Sequence, residues 1–172
     1  MTGENRLGMN PRASGQFTAT HWSVVLAAGG APSPQADLAL EQLCRTYWYP
    51  LYGHVRRRGY TPEDAQDLTQ GFLASLIARQ DLATVAPEKG RFRTFLLAAL
   101  GHYLANEWSR GKRQKRGGGQ TVFSFDALPA EQRYQAEPAA SETPERAYDQ
   151  LWAWTVMDQA MERLQQEYVR SG

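Results

Sequence analysis

The chain has a single cysteine, Cys44, among 172 residues. A lone thiol excludes an internal disulfide framework, cannot complete a cysteine-rich zinc site, and fits a reducing cytoplasm. His21, His54 and His102 are scattered at no metal-ligand spacing, so no metal and no other cofactor is expected. Long apolar runs are also missing: nothing approaches the roughly 18 residues that cross a bilayer, and the polar start MTGENRLGMNPRASG is not a secretory signal. No phosphate-binding glycine loop, nucleophile elbow or pair of catalytic carboxylates is found, and Gly117, Gly118 and Gly119 have no P-loop lysine after them. Strand signals are weak throughout and no stretch repeats. These absences point away from an enzyme and a membrane protein, and towards a soluble, cytoplasmic, all-α chain.

What is present is unevenly placed. The net charge of +1 conceals a segregation, because Lys89 to Arg116 holds eight basic residues against Glu107 alone, a net +7 that leaves −6 elsewhere. A confined positive field steers a polyanion to one place. Within this stretch, Phe92, Phe95, Leu96, Ala99, Leu100 and Tyr103 share one face at helical spacing, and Leu97, Leu104 and Trp108 form a second stripe. Arg110, Lys112, Arg113, Lys115 and Arg116 then place five cations in seven residues before the glycines. The pattern predicts an apolar helix with a basic end.

The rest of the chain divides in order. Residues 1–17 read as a disordered N-terminus. A helical domain of about four helices is expected over 18–116, a linker over 117–142, and a terminal helix over 143–172. In the first helix Trp22, Val25 and Leu26 form the apolar face; in the second Leu38, Leu43, Tyr47, Leu51 and Val55 do, with a kink or junction at Pro50 and the cations Arg56, Arg57 and Arg58 at its C-terminus. Thr61-Pro62-Glu63-Asp64 is an N-terminal capping signal. It opens a helix to about Gln80 whose core stripe is Ala65, Leu68, Phe72 and Leu76, with Glu63, Asp67 and Gln70 opposite. Leu73 and Ile77 add apolar surface to the outward side, a mixture suited to docking. Gly71 in mid-helix costs about 1 kcal/mol against alanine with no local compensation. Thr143-Pro144-Glu145 opens the last helix, whose stripe Trp154, Met157, Met161, Leu164 and Tyr168 is expected to pack on a domain outside the chain and, left bare, to promote self-association.

The run CRTYWYPLYGHVRRRGYTPEDAQDLTQGFLASL, followed by GRFRTFLLAALGHYLANEWSRGKRQKRGGG, resembles region two of the sigma-70 family, and in particular the short extracytoplasmic-function sigma factors of bacterial RNA polymerase. The likeness covers roughly His21 to Gly119, and TPERAYDQLWAWTVMDQAMERL resembles the approach to region four. It implies that Asp64, Asp67, Gln70 and Leu73 dock on the β′ subunit of core polymerase. It implies also that Lys89, Arg91, Arg93, Asn106, Trp108, Arg110, Lys112 and Arg113 meet the non-template strand of the promoter's minus-ten element, with an anti-sigma factor as a possible further partner. Cationic ends for phosphates and aromatic faces for unstacked bases agree with that chemistry. Three features depart from the family pattern. Gly71 stands where an acid is usual, His102 and Asn106 stand where many members have Asn and Asp, and the helix-turn-helix of region four is missing.

Two other functions fit the same residues: a helical nucleic-acid-binding protein without sequence preference, and a regulatory fragment that occupies polymerase without initiating. Each cationic residue also has a plainer role, since charge runs are usually solvated helix ends. Asp64 is accounted for by capping; Asp67 has no such local duty and is the better partner contact.

Overall fold

The structure, a computed structural model, describes residues 22–78, 80–111, 127–137 and 143–171. Among them the fold is all-α, with no strand. Six helices follow one another: α1 (Trp22–Ala28), α2 (Pro34–Arg57), α3 (Pro62–Ala78), α4 (Phe92–Gly111), α5 (Ala127–Ala136) and α6 (Pro144–Ser171). Two short 3₁₀ turns, Asp81–Thr84 and Pro87–Lys89, join α3 to α4.

Three helix starts use one device. Ser33 Oγ accepts from the Ala36 N–H at 3.1 Å, Thr61 Oγ1 from Asp64 at 3.2 Å and Thr143 Oγ1 from Arg146 at 3.4 Å. Each is followed by proline, whose fixed φ suits the first helical position and whose missing N–H would have no partner there.

The axis of the fold is α2. Every residue from Tyr47 to Val55 is buried, so this stretch is surrounded rather than amphipathic. α2 continues through Pro50 as one helix instead of dividing there; contact on all sides holds the turn that lacks a hydrogen bond. Leu26 and Leu38, both expected to face the core, are exposed, because Val25, Ala28, Ala36 and Ala39 set the buried phase of α1 and α2. Cys44 is buried on α2, and desolvation pushes its thiol up to about 12.

α6 packs on α2 through Ala147, Tyr148, Leu151, Trp152 and Thr155. Close approach requires glycine at one point: a Cβ on Gly53 would lie 2.5 Å from Leu151 Cδ1. The start of α6 is also tied by polar contacts. His54 Nδ1 lies 3.2 Å from the Pro144 carbonyl oxygen, and burial holds this imidazole below its usual pKa. α4 buries Phe92, Leu96, Leu100 and Leu104, and Phe92 meets Tyr47 edge-on with ring centroids 5.3 Å apart.

α5 lies inside the segment expected to be a linker without periodicity. It rests on α2 and α3, held by charge. Glu131 takes a two-point contact from Arg56, Nε to Oε2 and Nη2 to Oε1, both at 2.9 Å, and also accepts from the Tyr52 hydroxyl. Glu137 accepts from Arg57 and Tyr49. The Arg56 guanidinium holds the Glu131 carboxyl down at about 2. Arg56 and Arg57, read from sequence as cations at the end of a helix dipole, stand in the last turn of α2 and in addition pair with Glu131 and Glu137.

Candidate nucleic-acid interface

The predicted polymerase-facing group is on α3. Asp64 and Asp67 are exposed and Gln70 is half-buried. Leu73 corrects the sequence reading: it is 6% exposed and shares the core cluster with Ala130 of α5. Ile77 also packs against that core. The apolar part of the outward face of α3 is thus taken up within the chain, and what remains open is acidic and amide.

Gly71 has its explanation on α4. A Cβ at this position would come within 2.4 Å of the Tyr103 hydroxyl oxygen, and the Tyr103 ring lies 5.8 Å from Phe72. The glycine lets α4 lay an aromatic ring against α3, which offsets its poor helix propensity. No local pattern could reveal a compensation that comes from 32 residues further along the chain.

Those predicted DNA-facing residues whose side chains the structure describes separate into three groups. Lys89 and Arg91 are exposed before α4; Lys89 Nζ donates to the Thr84 carbonyl at 2.9 Å, which closes the loop on itself. Asn106 and Trp108 are exposed near the far end of α4, Trp108 by 63%. Arg93 is the exception. Its side chain is only 12% exposed, its Nε donates to Asp149 Oδ1 at 2.7 Å, and its guanidinium sits 4.6 Å from the Trp152 ring centre. Its charge is matched within the chain, so it ties α4 to α6 rather than facing a phosphate. The Arg110 side chain, and Lys112 and Arg113 entirely, lie outside the described residues.

Beside Asn106 a cleft of about 580 Å³ opens between α3, the following turn and α4. Phe72, Ala99 and Tyr103 supply apolar and aromatic wall, while Ser75, His102 and Asn106 bring hydrogen-bonding groups to it. Asp81 and Glu107 add carboxylates. Rings with hydrogen-bonding groups beside them suit an uncharged heterocycle. The cations stand outside it, Lys89 and Arg91 about 22 Å from Asn106 along α4 at 1.5 Å per residue.

Sequence reasoning did not find this cleft. Its signal was the set Ala99, His102, Tyr103 and Asn106 on α4 at i, i+3, i+4 and i+7, divided in the sequence between the apolar face, which took Ala99 and Tyr103, and the predicted DNA-facing residues, which took Asn106. Phe72 was assigned wholly to the core, and it is buried, yet it also walls the cleft. Among the described residues no group of acidic, histidine and cysteine side chains can hold a metal ion, and no helix is long and apolar enough to cross a membrane. No protein-family model matches the chain, nor does any curated protein or any solved structure.

Proposed function

We propose that the chain is a sigma-factor-like module of bacterial transcription initiation. It docks on core RNA polymerase through the exposed acidic and amide face of α3, with Asp67 and Gln70 central and Asp64 beside them. It holds an unpaired base of the minus-ten non-template strand in the cleft between α3 and α4. Lys89, Arg91 and the basic run from Arg110 to Arg116 take the flanking phosphates. Selectivity comes from the captured single strand, and the protein itself performs no bond chemistry.

The observation that supports this reading is a combination on and before α4: a cleft with rings and hydrogen-bonding groups that accepts a heterocycle, and exposed cations about 22 Å away that attract phosphate. A simple polyanion binder has no need of the first part. With single-stranded oligonucleotides, Tyr103→Ala is expected to weaken binding by about 1–3 kcal/mol through loss of a stacking face. If five phosphates are neutralised, affinity falls with salt at a log–log slope of about −3.5.

Capture by core polymerase tests the other half. Wild-type chain should be retained and Asp67→Arg should lose most of that retention. No capture of either form removes the polymerase reading and leaves single-strand binding without sequence preference. Capture without a run-off transcript would make the chain an occupying regulator.

A further inference from the structure

The distal half of α6 carries an apolar stripe that the helices around it leave bare. Trp154, Met157, Met161, Leu164 and Tyr168 range from 46% exposed at Trp154 to 83% at Tyr168, and Val169 is bare beside them. The residues that seat the first half of α6 on α2 lie roughly 140° around the helix from this stripe at 3.6 residues per turn. Extending the contact with α2 therefore cannot cover it; the cover comes from the opposite side.

The spacing of the stripe alternates three and four residues, the seam by which one helix meets another lengthwise. Its exposed side chains present on the order of 800 Å², the area each partner contributes to a standard specific interface. Val156 packs against the core, Gln159 accepts from Thr46 and Asp158 pairs with Arg133, so tertiary support reaches only the first turns of this half and a cover also accounts for the helicity of the rest.

The stripe is complementary to itself when two copies run antiparallel. In the register that centres Met161 on Leu164 of the second copy, Met157 meets Tyr168 and Trp154 lies over Ser171. Thioether sulfur against an aromatic ring is a favourable contact. The positions flanking the seam are Asp158, Ala160, Gln165 and Glu167. In this register Asp158 faces Gln165 and Glu167 faces Ala160, so no like charges meet. Antiparallel pairing also opposes the helix dipoles and places the two helical bodies at opposite ends.

We propose that this stripe is a homodimer interface, occupied by the same stripe of a second copy of the chain running antiparallel. The test is sedimentation equilibrium of the full chain over a wide concentration series. Mass should rise from 19.3 kDa towards twice that value. Met161→Lys should weaken the dimer at least tenfold with helicity retained. Ala160→Lys, placed opposite Glu167 of the second copy on both sides of the two-fold, should tighten it severalfold and does not depend on a disruptive change. A chain that stays monomeric throughout overturns the proposal and leaves the stripe to a different partner. A dimer indifferent to both substitutions overturns it too, because its interface then lies elsewhere.

Discussion

α5 and α6 both lie against α2, by opposite means. α6 is seated by Tyr148, Leu151 and Trp152, apolar bodies pressed into a place that Gly53 keeps open. α5 is only 10 residues long and is held mainly by two acids facing two arginines, with tyrosine hydroxyls completing each carboxylate. Apolar burial is indifferent to pH and gains from added salt, whereas an ion pair depends on the charge state of both members. One axis thus carries a permanent neighbour and a conditional one.

The strongest test of that contrast is to remove apolar volume under α6. Leu151→Ala should cost about 2–5 kcal/mol of global stability in a denaturant titration, because Leu151 is fully buried against Gly53. Arg56→Met should cost less, about 1.5–3 kcal/mol for the charged hydrogen bonds lost. Its signature differs as well: hydrogen exchange should accelerate in α5 while protection across the α2–α6 contact is kept. Equal loss of protection in both helices would mean that α5 and α6 form one cooperative unit and the contrast fails.

Acid should separate the two next. Glu131 has a folded pKa of about 2 against an ordinary 4.5, so the unfolded chain binds its proton first as pH falls. The stability Glu131 contributes is complete above about pH 4.5 and is lost on the way down to about 2. His54, held neutral by burial, removes stability from pH 6.5 downward. Glu131→Gln should flatten the lower limb alone, read as the midpoint of acid unfolding followed by circular dichroism. The smallest effect belongs to bare surface: Asp67→Arg should shift stability by no more than about 0.5 kcal/mol, which keeps any loss of polymerase capture separate from misfolding.

Local chemistry was readable where the determinants are local. The threonine-proline signals announced α3 and α6, and Phe92, Leu96 and Leu100 of α4 followed from its period, while Leu104, placed on the second stripe, is buried with them. What escaped depends on contacts distant in sequence. α5 has a weak apolar pattern, and its partners on α2 are 75 to 88 residues away, so neither composition nor period signals it. Leu73 and Arg93 share a cause: periodicity reports which face a residue occupies but not which later element arrives there. The core takes in Leu73, and α6 covers Arg93. The cleft was missed for a related reason, since its two walls belong to helices separated by a loop.

Cys44 turns this architecture into a clock. Its thiol reacts only as the thiolate, and burial both withholds the reagent and raises the pKa to about 12. Alkylation must wait for α2 to come free of its neighbours, so in excess reagent the rate of modification counts openings of the axis. With one thiol in the chain, every such event is recorded at a single address, and wild type, Leu151→Ala and Arg56→Met can be timed without any added probe.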